Sequence, residues 1–468
     1  MTSPLLIPVQ IPTSHTSPSF SVGPSSLQKS LCSDISSSPH FIHFPKNDSL
    51  TVREEGLPHA NIALEARQYK TLAFAQRLLE CLQLLSVPFW SAPGVIPAEI
   101  KIHKVSGALT NAVFFVSYPS LRKSRTVLLR VYGVSSGCLV SRPRELHILH
   151  ILSSQYGIGP RVYGTFENGR VEEYFESTTL TASDIRDPTI SRWIGARMAE
   201  LHSVDVEVVE PVSTHGSKRD GWEIGVKRNV KSWLPPAEEV LALPLVNKQV
   251  RAELNLTAFR QEWSNYLQWL SSVDDIHNGS ARVFAHNDTQ YGNLLRLQNP
   301  KDAIDEHRQV SISVSFGYGC DSFPSLDQLI VVDFEYAAPN PASFDIANHF
   351  HEWTANYHCA TPHLLDTSRY PTYDQRRNFY ATYLSHTAIS GEVPMLDDDE
   401  RELQLREIDQ QVRYWSPASH AMWAIWGIVQ AREDIEGDIA EPEFDYIGYS
   451  ICRMAAFRRE IRALGVQS

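Results

Sequence analysis

Two short polar stretches, each following an apolar run, constrain this 468-residue chain more than any other feature. The first is His286-Asn287-Asp288-Thr289-Gln290-Tyr291-Gly292-Asn293, after Arg282-Val283-Phe284-Ala285. The second is Asp333-Phe334-Glu335, after Val331-Val332. A lone Asp in a loop is ordinarily a cap or turn residue. An Asp and an Asn five apart on one loop, with a second Asp at the end of the next strand, form an oxygen set suited to phosphoryl transfer from ATP. That reaction needs a carboxylate to orient a hydroxyl nucleophile and oxygen ligands for Mg2+ bridging the phosphates. Asp288 is accordingly the candidate catalytic base, and Asp333 and Asn293 are the candidate metal ligands. Glu335 either touches the metal, directly or through water, or bonds to backbone. His286 is expected to fix the loop. Asp345, in Phe344-Asp345-Ile346, is expected to cap a helix and brace that loop.

Protein kinases arrange these groups as H-R-D-x-x-x-x-N followed by D-F-G. Here Asn287 replaces the Arg and Glu335 replaces the Gly, so the template is kinase-like without being a protein kinase's version. The surrounding pattern predicts an α+β, bilobal protein-kinase-like fold. Residues 1–55 are rich in Ser and Pro and read as a disordered tail. Residues 56–175 read as a small N-lobe, an antiparallel sheet plus helix that grips ATP phosphates. Within it, Leu72, Ala75, Leu78, Leu82 and Leu85 recur at helical spacing in a helix over 63–85, which Val87-Pro88 ends. Strands are expected at 100–102, 112–116, 126–132, 161–166 and 170–175, and a helix at 143–153. Residues 176–468 read as a large, mainly helical C-lobe with a surface insertion at 298–326. Asp187-Pro188 marks a helix start, and Ala421–Val429 a buried helix.

A formal net charge of -12 argues against nucleic-acid binding, which usually needs a basic face, and suits a cationic substrate. The six cysteines are scattered without zinc-type spacing, as expected of reduced thiols in a cytoplasmic protein. No apolar run approaches the ~18 residues of a membrane span.

Arg130, at the end of an apolar strand, occupies the position that grips the α- and β-phosphates in a kinase N-lobe, and Glu145 on the following helix is the matching carboxylate. An arginine makes that contact bidentately, unlike a lysine. Ser106, Gly107, Ala108, Leu109, Thr110 and Asn111 are expected to form the loop over the phosphates. Trp423 and Trp426 lie three apart on one helix face, with Phe444, Tyr446 and Tyr449 farther on and Tyr336 and Tyr357 nearer the catalytic loop. Such rings are either packing residues or a box for a quaternary ammonium, which ring faces attract.

Taken together, these residues resemble the choline/ethanolamine kinase family. The similarity is carried by Val331-Val332-Asp333-Phe334-Glu335-Tyr336, by Phe344 through Phe350 with Glu352-Trp353, and by Pro417-Ala418-Ser419-His420 with Trp423, Trp426 and Ile428–Ala431. Leu128–Gly133 and Gly159–Gly164 resemble the family's N-lobe strands. The resemblance implies ATP and Mg2+ as cofactors, a small amino alcohol (choline or ethanolamine) as substrate, and a homodimer. It implies an ammonium pocket of Tyr336, Tyr357, Trp423, Trp426, Phe444 and Tyr449, with Glu352 supplying charge, and Gln290 beside the substrate. It also implies an adenine contact through backbone near Glu173 to Phe175. The loop Ser106–Asn111 departs from the two glycines many members carry, and Thr354–Tyr357 lacks the acidic residue often found before the pocket tyrosine.

Overall fold

The computed structural model describes residues 52–105, 111–120, 126–132, 141–210, 224–274, 282–298, 329–389, 397–439 and 442–466. The expected tail up to residue 51, the phosphate loop at 106–110 and nearly all of the expected insertion lie outside them.

Alternating strand patterns build the first sheet. It comprises β1 (His59–Ala60), β2 (Lys101–Val105), β3 (Asn111–Ser117), β4 (Val127–Tyr132), β5 (Val162–Phe166) and β6 (Gly169–Glu173), ordered β1-β5-β6-β4-β3-β2. Only the short β1–β5 pair is parallel. Helix α1 (Leu72–Leu84) buries Phe74, Leu78 and Leu82 in one cluster with Phe114, Leu129, Val131 and Phe166 of the sheet. It starts at the first periodic residue, Leu72, nine residues later than the expected range of 63–85. The Thr71 hydroxyl accepts the Phe74 N–H and sets the N-terminus there, while Ala66–Gln68 forms a separate 3-10 turn. Helix α2 (Arg142–Gln155) brings Leu146, Leu149 and Leu152 into a cluster that continues past the sheet to Phe334.

Beyond β6 the chain is mainly helical. Two small sheets hold the chemical loops. β7 (Ser177–Thr179), β9 (Leu294–Leu297) and β10 (Leu329–Val331) pair in the order β10-β9-β7, and β8 (Arg282–Ala285) pairs with β11 (Ala338–Pro341). Around them lie α3 (Pro188–His202), α4 (Gly225–Ala242), α5 (Leu256–Val273), α6 (Ala342–Glu352), α7 (Tyr373–Ile389), α8 (Asp398–Gln430) and α9 (Tyr446–Ala463). Asp187 caps α3 as expected, accepting from the Thr189 and Ile190 N–H groups, with Pro188 in the first turn. α8, which contains the expected buried helix, packs against α9, α4 and α6. The result is the two-part α+β architecture expected of the sequence. Among the described residues, no helix is long and apolar enough to cross a membrane.

Candidate active site

The antiparallel β9–β10 pair aligns Val331 with Leu294, and one step on the Val332 N–H donates to the Asn293 carbonyl at 3.0 Å. The pairing therefore brings the end of the first polar stretch beside the start of the second. The Asn293 side-chain amide donates to the Asp288 backbone carbonyl (2.9 Å) and to its carboxylate Oδ2 (3.0 Å). Both Asn287 and Asp333 have left-handed backbone, with φ of 65° and 69°. For non-glycine residues that conformation is uncommon and persists only where surrounding bonds hold it. Those bonds are present at Asn287. Its side-chain amide donates to the Tyr336 and Ala338 carbonyls and accepts from Asn340, which explains why an asparagine replaces the arginine of protein kinases.

Asp345 braces the loop from below. Its two carboxylate oxygens accept the His286 N–H (2.9 Å) and the Asn287 N–H (2.8 Å), and His202 Nε2 lies 3.0 Å from the same group. Burial opposes its charge, but the His202 bond and the neighbouring donors hold its pKa below the ordinary value. The expected helix cap is not there: Pro341 occupies that position and Asp345 faces inward from the first turn of α6. His286 is structural as expected, bonded through Nε2 to the Val332 carbonyl and accepting the Asp288 N–H at Nδ1.

Burial raises the pKa of Asp288, Asp333 and Glu335, and Asp333 adds to the rise at the other two. For Asp288 burial is the largest cause, followed by the charges of Glu352 and Asp333. For Glu335 burial is followed by Asp333, Glu145 and Asp288. Asp333 is pushed up to about 6 by burial, against the pull of Arg130. Buried carboxyls with raised pKa values favour a bound cation, and carboxylate and amide oxygens of this kind suit a hard divalent ion. Gln290, also on this loop, has a buried Oε1 with no hydrogen-bond partner among the described residues.

The phosphate-side prediction needs correction. Glu145 pairs with Arg170, at 2.5 Å, and Arg130 pairs with Glu172, at 3.2 Å. Glu172 also binds Arg170 at 2.6 Å. Arg130 and Arg170 stand opposite each other on β4 and β6, and the nearer cation claims Glu145. No local pattern signals this, because Gly169–Glu173 looks like an ordinary strand. Asn111 begins β3, and its side chain lies outside the described residues. Glu173 ends β6 with its N–H on the Arg161 carbonyl, while Phe175 packs with Leu295, Leu297 and Ile330 where the first sheet meets the β9–β10 pair.

All six predicted pocket aromatics come together. Tyr357 meets Phe444 (centroids 6.4 Å), Phe444 meets Tyr449 (5.7 Å), Tyr449 meets Trp426 (6.0 Å), Trp426 meets Trp423 (5.2 Å) and Trp423 meets Tyr336 (5.3 Å). Two residues that sequence reasoning missed tie this wall to the chemistry. The Asn348 amide donates to the Asn287 carbonyl (3.0 Å), and its oxygen accepts the Trp423 indole N–H (2.7 Å). Arg453, fully buried, donates to Glu352 (3.1 Å) and to the Tyr449 hydroxyl (3.0 Å), while the Tyr357 hydroxyl donates to the other Glu352 oxygen (2.8 Å). Farther back, His351, His420 and Glu460 bring ligand-type atoms within 4.8 Å of one another. Arg453 donates to His420, and the Ser416 hydroxyl bonds both His351 and Glu460, so that group is internally satisfied and has a cation beside it.

Comparison with known proteins agrees with this geometry. The model of the family described as choline/ethanolamine kinase matches residues 102–458. The chain is 32% identical over 443 residues to a choline kinase of Schizosaccharomyces pombe, covering 84% of this chain and 90% of that protein. It is 31% identical over 369 residues to a choline/ethanolamine kinase of Homo sapiens, covering 77% and 80%. Its fold matches the crystal structure of a choline kinase from Cryptosporidium parvum with a TM-score of 0.61 at 21% identity, over 84% of this chain and 97% of that one. With the family match extending from β2 into α9, and so across every described part of the site, the chain belongs to the choline/ethanolamine kinase family.

Proposed function

We propose that the protein transfers the γ-phosphoryl group of ATP to the hydroxyl of choline, giving phosphocholine and ADP, the first step toward phosphatidylcholine head groups. The observation that carries this reading is Asn348, one side chain bonded to both the catalytic loop and the aromatic wall. It makes the carboxylate at Asp288 and the wall that would hold a quaternary ammonium parts of one rigid unit.

Asp288 accepts the hydrogen bond of the substrate hydroxyl and aims its oxygen at the γ-phosphorus. As the new O–P bond forms, the bond from the γ-phosphorus to the β–γ bridging oxygen breaks, ADP leaves, and the hydroxyl proton passes to Asp288. Asn293 and Asp333, with Glu335 beside them, would hold Mg2+, which supplies charge neutralisation at the phosphates when bound. Arg130 adds a cation on the α- and β-phosphate side, and Gln290 offers its unpartnered oxygen near the acceptor. Tyr336, Tyr357, Trp423, Trp426, Phe444 and Tyr449 present ring faces to the ammonium.

Ethanolamine is the second acceptor to consider, because Glu352 stands beside the rings. Both oxygens of that carboxylate already accept hydrogen bonds, from Tyr357 and Arg453. A primary ammonium needs acceptors and a quaternary one does not, so the arrangement favours choline. A homodimer in the cytoplasm belongs to the same reading; sedimentation and fractionation test those two points.

The decisive experiment is an ADP-release assay with choline and ethanolamine, with and without Mg2+, on the wild type and Asp288→Asn. Turnover is expected to require Mg2+, to favour choline in kcat/KM, and to fall about 10²–10⁴-fold in the variant, with ATP binding kept. Near-normal turnover by Asp288→Asn removes Asp288 from the mechanism. No ADP from either alcohol marks a kinase fold that has lost catalysis.

A further inference from the structure

Arg130 on β4 and Arg170 on β6 are register partners in an antiparallel pair. Side chains so paired stand on one face, roughly 4.5–5.5 Å apart at Cβ, where like charges oppose each other. Arg170 is buried, its side chain 1% exposed, and Arg130 is partly buried, its side chain 12% exposed. Two cations facing each other this far from water persist only where carboxylates pair with them.

The carboxylates are Glu172 and Glu145. Glu172, two residues past Arg170 and so on the same face of β6, accepts from Arg130 Nε (3.2 Å) and Arg170 Nε (2.6 Å) through one oxygen. Glu145 comes from α2 and accepts from Arg170 Nη2 (2.5 Å), while the Tyr132 hydroxyl lies 3.3 Å from Arg170 Nη1. Both carboxyls stay ionised: burial opposes their charge, and the Arg170 guanidinium more than reverses it. The bonded chain runs from α2 through Glu145, Arg170 and Glu172 to Arg130. Next to Glu145, Arg144 donates to the Ala337 carbonyl at 2.7 Å, just past Asp333-Phe334-Glu335. Helix α2 is thus tied at neighbouring residues to the metal-carboxylate segment and, through Arg170, to the arginine on the phosphate side.

We propose that Arg170 is a positioning residue for triphosphate binding, holding Glu145 and Glu172 so that Arg130 presents its guanidinium to the phosphates and follows the position of α2. This rests on the reading of Arg130 as the phosphate-gripping residue. Arg170 itself is too deeply buried to touch a ligand and acts through Arg130.

The test is steady-state kinetics of Arg170→Lys in the full chain. A lysine keeps the charge, but its point ammonium cannot span both carboxylates as the planar fork does. KM for ATP is expected to rise about tenfold, with KM for choline changed less than about twofold. In the Arg130→Ala background, Arg170→Lys is expected to raise KM for ATP no further, because the residue it acts through is gone. Glu172→Gln, which is isosteric, is expected to give the same signature and carries the test if the lysine variant does not fold. An unchanged KM for ATP, equal losses for both substrates, or an undiminished effect in the Arg130→Ala background each overturn the proposal. If Arg130→Ala alone leaves KM for ATP unchanged, the reading of Arg130 fails, and the proposal fails with it for that separate reason.

Discussion

Asp288, Asp333 and Glu335 are all held by burial above the ordinary carboxyl pKa, and that makes their protonation sensitive to pH and to a bound cation. A carboxyl with a raised folded pKa holds its proton more tightly folded than unfolded. As pH climbs from about 4 towards 6, the unfolded chain ionises Asp333 first, and its contribution to stability is eroded across that window. Above pH 6 the full cost is present unless a cation is bound. Asp333→Asn should therefore make the metal-free protein about 2–3 kcal/mol more stable at pH 7.5, a gain that shrinks to about 1 kcal/mol at pH 4.5 and vanishes only near pH ~3, while abolishing turnover. Denaturant melts at the two pH values check this; an equal gain at both would show that Asp333 carries no raised pKa. For the same reason, the acid limb of kcat/KM should move to lower pH as Mg2+ concentration rises, since a cation competes with the proton for the carboxylate.

At the scale of elements, the site depends on close approaches between segments far apart in sequence. Gly159, just before β5, has φ +74°, and a Cβ there would stand 2.7 Å from the Phe334 ring. The residue between Asp333 and Glu335 is thus seated against a glycine that no side chain can replace without displacement. Gly159→Ala should cost about 1–3 kcal/mol, from left-handed strain plus the clash, and lower kcat more than it raises KM for choline. Thermal melts with kinetics check it; a fully stable, fully active variant would show that Phe334 moves freely. Element types were legible from periodicity and cap chemistry: Asp187-Pro188 starts α3 where the sequence placed it. The start of α1 was not, because the expected range ran nine residues ahead of the observed start at Leu72, into a segment that forms a separate 3-10 turn. Asp345 looked like a cap by its position before an apolar stretch, yet it turns inward because the loop above it has two N–H groups needing an acceptor.

For the whole molecule, the aromatic wall draws Tyr336 from the catalytic segment, Tyr357 from beyond α6, Trp423 and Trp426 from α8, Phe444 from just before α9 and Tyr449 from α9 itself. Only the packing of α8 against α6 and α9 makes those six rings contiguous. Trp426→Leu keeps apolar bulk and removes the π face. It should raise KM for choline about five- to thirtyfold, the range of a desolvated cation–π contact, affect ethanolamine less, and leave KM for ATP unchanged. Competition kinetics with the two alcohols check it, and equal losses for both would make the ring a packing residue only.

The sequence by itself determined which residues are candidates for the proposed chemistry. Asp288, Asn293 and Asp333 are legible because phosphoryl transfer demands oxygen donors at fixed offsets from strand ends, and offsets along a chain are visible in it. The aromatic residues were visible too, though their role rested on family resemblance. What only the tertiary structure decided is who pairs with whom: Arg170 with Glu145, Glu172 between two arginines, Asn348 between loop and ring wall, Arg453 behind Glu352. A buried charge or amide takes whichever partner strand register and helix packing bring within about 3 Å, and no local pattern encodes that distance.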